Sequence, residues 1–272
     1  MLLHRVAHSK TLFFLQTFTS TYYTMLKKTI KWLGILLLIL LLVLLIIGWA
    51  INDPLPKGKT GPAADLLARK MEAAVNKAAW DTTALIQWTF AGRHHYLWDK
   101  TQNIAQISWE DYRVLLDLGK VTGKAWKNEI LLDKAQTSQS IQKAWQFWCN
   151  DSFWLNPVVK AFDRGTSRSL VPLENGQQGL LVTYSSGGVT PGDSYLWILD
   201  ENGLPLQWKM WVSILPLGGI GNSWENWVGL PTGAKIATSH KNAVFDLKIT
   251  NLKAAQNWED FGFVKDPFRE LY

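Results

Sequence analysis

Residues Ile86 to Leu131 read IQWTFAGRHHYLWDKTQNIAQISWEDYRVLLDLGKVTGKAWKNEIL. Apolar side chains recur here at every second position, which is the period of a half-buried strand. Ile86, Trp88 and Phe90 fall on one face. Tyr112, Val114, Leu116 and Leu118 alternate with Arg113 and Asp117. Short polar turns at Ala91-Gly92, DKTQN, Glu110-Asp111 and GKVTGK divide the stretch into about five strands of an antiparallel meander.

Period two returns further on. Leu180, Val182 and Tyr184 alternate, then SSGGVTPGD turns into SYLWILD, and the Asn-Gly of DENG signals another hairpin. LPLQWKMWV places Leu204, Leu206, Trp208, Met210 and Val212 on one face, with Gln207 and Lys209 on the other. Phe245, Leu247 and Ile249 alternate with Asp246, Lys248 and Thr250.

Two helical segments flank and interrupt these strands. Pro62 suits a first helical turn, and Leu67, Met71, Ala74, Val75 and Ala78 recur at helical spacing, so one helix is expected over 63–79. The block SQSIQKAWQFWCNDSFWLNPVVKAFDRG carries Ile141, Trp145 and Trp148 at i, i+4 and i+7. Pro157 is expected to divide it into two short helices.

The fold class is therefore α+β. A long antiparallel sheet, apolar on one face, must curl or pair with another layer. The two helical segments are available to fill its concave side, and 63–272 is large enough for a single domain with a real core.

Ahead of this domain, WLGILLLILLLVLLIIGWAI spans Trp32 to Ile51 without a charge. About 20 such residues cross a bilayer as a helix, and Trp32 and Trp49 sit where interfacial aromatics are favoured. A cleaved signal peptide would have an apolar core of only ~7–15 residues and a small-residue cleavage site. IIGWAINDPLP offers no A-x-A and no lipobox cysteine, so an uncleaved anchor over 32–51 is expected. Residues 1–31 form a basic N-terminal segment, and Met25 opens MLKKTIKWLG, which reads as a natural start for such an anchor. On that reading 1–24 is an extension ahead of it. Lys27, Lys28 and Lys31 place the N-terminus in the cytoplasm by the positive-inside rule, and the main domain in the periplasm, at the inner membrane of a bacterium. Residues 52–62, NDPLPKGKTGP, read as a linker.

Residues 1–52 hold Arg5, Lys10, Lys27, Lys28 and Lys31 and no acid, so the sequence pI near 9.3 reflects the leader. The domain itself is close to neutral and shows no basic stripe for a phosphate backbone, so nucleic acid is not an expected partner.

Catalytic and metal motifs are thin. Adjacent His94 and His95 on a strand point to opposite faces and do not chelate one ion easily, and His240 is the domain's remaining histidine. HExxH, paired cysteines and GxSxG are absent from the sequence. Ser140-Ile-Gln-Lys143 fits S-x-x-K, but its Lys-Thr-Gly at 59–61 precedes it and S-D-N is missing. Asp99, Glu110, Asp111, Asp163 and Asp193 read as turn residues. Cys149, in AWQFWCND, reads as a small buried hydrophobe. The glycine-rich SSGGVTPGD and LGGIGNSW open no helix and are not phosphate loops; LPLGGIG reads as a long connection or a rim. No cofactor and no enzymatic activity are expected.

The 16 tryptophans are the most informative feature. Trp88, Phe90, Tyr96, Trp98, Trp145, Trp148, Trp208 and Met210 are the candidate lining of an apolar site, with Arg93 or Lys209 at its mouth for a headgroup. The plainer reading is that the same aromatics fill a solid core.

The order helix, meander, helical insert, strands resembles the LolA-type lipoprotein carriers. WTFAGRHHYLWDK also resembles strand pairs in Trp-rich, uncharacterised envelope proteins of Bacteroidetes-type bacteria. The first resemblance, over 62–252, implies an unclosed half β-barrel of ~10–11 strands closed by helices over an apolar cavity. It implies a tethered, LolA-like periplasmic protein that binds a lipid or other apolar ligand. The alternative is an envelope scaffold that docks a protein partner and keeps its core filled.

Overall fold

The computed structural model describes residues 3–186 and 191–272. The chain divides into two compact units, one through Asn52 and one from Asp53 to Tyr272. The first is a single helix, α1 (Leu3–Ile51). Its segment Met25–Ala50 is long and apolar enough to cross a membrane. The helix thus continues through the basic segment as well as the apolar one.

The second unit opens with a two-residue strand, β1 (Lys59–Thr60), and a helix, α2 (Pro62–Ala74). A short helix, α3 (Lys77–Thr82), follows. The single helix expected over 63–79 is broken because Asn76 takes a left-handed conformation, φ 54°. Asparagine tolerates that region. Its side chain then caps α3, accepting from the Ala79 amide at 3.3 Å, and donates to the Gly233 carbonyl at 3.1 Å.

The meander follows as expected: β2 (Leu85–Phe90), β3 (His94–Asp99), β4 (Ile104–Trp109), β5 (Tyr112–Asp117) and β6 (Thr122–Lys127), with a short β7 (Ile130–Leu131). Glu110 sits in the β4–β5 turn at φ 49°. Asp99 closes β3 by accepting from the Gln102 amide at 2.8 Å. Glu110 is a turn residue, as read, whereas Asp99 is the last residue of β3, paired with Leu85 and Ile104.

The helical block differs from expectation. It is one continuous helix, α4 (Lys134–Leu155), starting at the N-cap Asp133, which accepts from the Gln136 amide at 2.8 Å. The block continues from Pro157 as a 3-10 turn, Pro157–Lys160. The N-cap aspartate supplies a start signal ahead of the apolar block.

The remaining strands are β8 (Thr166–Pro172), β9 (Gln178–Tyr184), β10 (Ser194–Leu199), β11 (Pro205–Trp211), β12 (Ile220–Ser223), β13 (Glu225–Gly229), β14 (Lys235–Lys241) and β15 (Asp246–Ala255). SSGGVTPGD lies partly outside the described residues.

Instead of one curled sheet of 10–11 strands there are two antiparallel sheets. One has six strands in the order β1-β8-β9-β10-β11-β12, the other nine in the order β13-β14-β15-β2-β3-β4-β5-β6-β7. The chain passes between them at Trp224, the one residue separating β12 from β13. The barrel is not closed, and β1 and β7 end the two sheets.

The inner faces and the helices share one core. It takes Trp88, Phe90, Tyr96 and Ile107 from the larger sheet and Val182, Tyr195, Trp197 and Trp208 from the smaller. Met71 of α2 and Ile141, Trp148 and Leu155 of α4 complete it. The outer face of the larger sheet is not purely polar. Leu97, Ile104, Leu115 and Trp126 are covered by the C-terminal tail through Phe268, which is fully buried.

The segment read as a free linker is tied down. The Asp53 carboxylate pairs with Lys209 at 2.8 Å, and the Trp211 indole donates to the Asp53 carbonyl at 2.7 Å. Residues 59 and 60 pair with Leu170 and Ser169 of β8. The linker therefore forms the outer edge of the six-stranded sheet.

Candidate functional site

Helix α4 lies over the inner face of the larger sheet and brings most of the expected aromatic residues together. Trp88 and Tyr96, cross-strand partners on β2 and β3, stack with ring centroids 4.4 Å apart. Trp148 of α4 meets Trp88 at 5.8 Å, Tyr96 at 6.1 Å and Trp98 at 5.0 Å. Strand pairing fixes the first three; the helical repeat delivers the fourth.

Trp208 belongs to a second group on the smaller sheet. It contacts Trp197 at 4.9 Å, Trp224 at 5.0 Å and Trp154 at 4.9 Å, largely edge to face. Met210 is buried in the same core, its sulfur 3.9 Å from the Asn222 side-chain amide. Phe90 is buried at the end of β2, and Trp145 packs partly buried against the core.

The two expected headgroup residues stand elsewhere. Arg93 is exposed in the β2–β3 turn. Lys209 points away from the interior and is engaged by Asp53, as the alternation along β11 requires.

The opening histidine pair divides as its strand position requires. His95 faces outward. His94 faces inward, stacks on Phe147 at 3.9 Å, and sits with its Nδ1 2.7 Å from Asp151 Oδ2. The same carboxylate oxygen accepts the Tyr96 hydroxyl at 2.6 Å, while Oδ1 accepts from Asn150 at 2.7 Å. Asp151 is 2% exposed. Burial first, then the adjacent carboxylate, pushes the Tyr96 phenol far above its usual range, so it stays a donor. The carboxylate thus ties β3 to α4.

Asp151 escaped the reading of the sequence, although a signal was there. Continuing the helical face of Ile141 through Ala144 and Trp148 arrives at Asp151 and Leu155. A carboxylate on the apolar stripe of a helix requires a buried partner.

His240 is a second buried polar group. It is fully buried, its ring 4.1 Å from Trp224 and 5.4 Å from Trp154. Its Nδ1 lies 3.3 Å from the Ser223 carbonyl, while its Nε2 has no partner among the described residues. Burial lowers its pKa to about 4. Among the described residues the buried indole N–H groups of Trp88, Trp98, Trp109, Trp197, Trp208 and Trp224 also lack a protein acceptor.

The remaining candidates have structural duties. Ser140 donates to the Gln136 carbonyl of its own helix at 2.9 Å, and the Lys143 ammonium sits over Trp109 and Phe147. Cys149 is partly buried and burial raises its thiol pKa to about 11, away from reactivity. Among the described residues no three His, Cys, Asp or Glu side chains are grouped to hold a metal ion.

No family model matches the chain, and no curated protein matches it. Among solved structures it is similar to a DUF1329 family protein from Desulfovibrio piger ATCC 29098. The identity is 12%, the match covers 71% of this chain and 92% of that chain, and the TM-score is 0.35. A likeness at that level does not extend to function.

Proposed function

We propose that this is a membrane-anchored, non-enzymatic envelope protein that binds a lipid or other apolar ligand non-covalently in its aromatic interior. On this reading α1 is retained as a single-pass anchor in a bacterial inner membrane, with its N-terminus cytoplasmic and the domain from Asp53 periplasmic. The observation that carries the reading is the chemistry of the interior. Aromatic faces from both sheets meet there, and six indole N–H donors have no acceptor among the described residues. A buried donor left unpaired costs about 1–3 kcal/mol. An ester or other acceptor oxygen on an otherwise apolar guest would satisfy such donors while its chains bury against the rings at about 25 cal/mol per Å².

In the conformation described, α4 fills this space, so entry requires that α4 move outward from the sheet. The Asp151 carboxylate, bonded to Tyr96 and close to His94, is the polar latch that resists this.

The filled interior itself favours a second reading, a scaffold that docks an envelope protein partner and takes no ligand. Lipid extraction and native mass spectrometry on the protein exported to the periplasm separate the two. A co-purifying lipid at fixed stoichiometry supports binding. A protein that stays empty after incubation with membrane lipids supports the scaffold.

A further inference from the structure

The larger sheet carries a second site on its opposite, outer face. Strand β15 pairs with β2 through Thr250↔Thr89 and then through Lys253↔Gln87, with a register shift between them. Two residues of β15, Asn251 and Leu252, therefore stand opposite the single residue Trp88. This is a β-bulge, a device that re-aims side chains beside functional sites. Asn251 accepts the left-handed conformation this demands, φ 51°.

Its side chain reaches over the sheet and donates to Thr89 Oγ1 at 3.1 Å. Thr89 Oγ1 in turn lies 3.0 Å from His95 Nδ1 across the β2–β3 pair. The neighbouring row of the sheet is Gln87, Leu97, Gln106, in register across β2, β3 and β4. Phe263 of the C-terminal tail supplies a wall. Together these groups line a pocket of about 190 Å³.

The lining selects a type of occupant. Among the described residues it holds no lysine, arginine, aspartate or glutamate, so no full charge is there to neutralise an ion. Among the described residues the Gln87 amide makes no hydrogen bond, and Gln106 makes only a 3.5 Å contact with Ser108. Each free amide offers two donors and an acceptor. Leu97 and Phe263 add an apolar floor and an aromatic wall. The volume lies below the ~300–1,000 Å³ of sites for drug-sized molecules, which limits the guest to one ring. A neutral ring with hydroxyls on its rim and C–H groups on its face meets all of these conditions.

We propose that this pocket binds one neutral sugar ring, either a free hexose or N-acetylhexosamine or the terminal residue of a glycan. It opens on the outer face of the sheet, opposite the aromatic interior, and Trp88 and Tyr96 of that interior also border it.

The test is ligand-observed saturation-transfer NMR on the full chain in phospholipid nanodiscs, which avoids detergents with sugar headgroups. Glucose, N-acetylglucosamine and the β-1,4-linked trimer of N-acetylglucosamine are titrated to about 20 mM, well above a millimolar Kd. Saturable binding of at least one is expected. It should weaken at least tenfold in Gln87→Leu and in His95→Phe, and stay unchanged in Arg93→Ala. A trimer that binds more tightly than the monomer identifies a glycan end as the ligand; equal or weaker binding identifies the free sugar. Absence of saturable binding for all three, or binding that survives both pocket variants, would overturn the proposal.

Discussion

Asp151 of α4 accepts the Tyr96 hydroxyl at 2.6 Å and lies 2.7 Å from His94, so one buried carboxylate holds the inserted helix to the middle of the larger sheet. Among the described residues this is the one polar tie in an otherwise aromatic contact between α4 and β3, and the closed state of the interior depends on it.

Asp151→Ala leaves the Tyr96 hydroxyl buried without its acceptor. A buried hydroxyl left without its acceptor costs about 1–3 kcal/mol. Urea unfolding should show a midpoint lowered accordingly, with Asp151→Asn less affected because it keeps one acceptor oxygen. Under the binding account the same variants gain lipid while they lose stability. A purely structural latch predicts the loss alone.

Two buried titrating groups set opposite pH dependences. His240 has its pKa lowered from 6.5 to about 4 by burial. Between those values the unfolded chain binds the extra proton, so stability falls as pH drops from 6.5 towards 4, by about 3 kcal/mol in all. Glu72 is 7% exposed, and burial raises its pKa from 4.5 to about 7. Its contribution is fully present below pH 4.5 and is lost as pH rises through about 7. The two slopes oppose each other over a shared window. The wild-type stability should therefore be nearly flat from pH 4.5 to 6.5. Glu72→Gln should make stability rise with pH there, and His240→Gln should make it fall. Chemical denaturation at four pH values reads all three slopes; a steep wild-type slope with unchanged variants would contradict the assignment.

The apolar connection LPLGGIG has a specific duty. A Cβ at Gly218 would overlap both Trp211 Cδ1 and the Asp53 carbonyl, and Gly219, at φ 75°, packs on the Asp53 side chain. Gly218→Ala should therefore displace the segment that joins the anchor to the domain. Limited proteolysis within 53–60 should accelerate several-fold, while the domain's unfolding free energy drops by only about 1–3 kcal/mol.

Much of this molecule is readable from its residues. The 86–131 meander is explicit because alternation and turn residues agree, and the inward set Trp88, Tyr96 and Trp98 follows from the period of two. The helical repeat likewise puts Trp148 on the same core. What the sequence conceals is long-range. Nothing local in ILPLGGIGNSWENW announces that the chain changes sheets at Trp224, since its first half reads as a connection. The Asp53–Lys209 pair joins residues 156 apart in sequence, so an apparent linker became a sheet edge and a proposed headgroup residue was already engaged. The outer-face pocket depends on a bulge at Asn251, and a single asparagine between Thr250 and Leu252 carries no periodic signal.

The central claim is that the aromatic interior accepts an apolar ligand once α4 yields, and lipid occupancy measures it directly. Residues 53–272, a compact unit with its own core, would be exported to the periplasm and analysed by native mass spectrometry with lipid extraction, as wild type and as Asp151→Asn. The account predicts a bound lipid at defined stoichiometry, with greater occupancy in the variant. Both proteins remaining empty after incubation with a natural lipid mixture would contradict it and leave the filled-core scaffold standing.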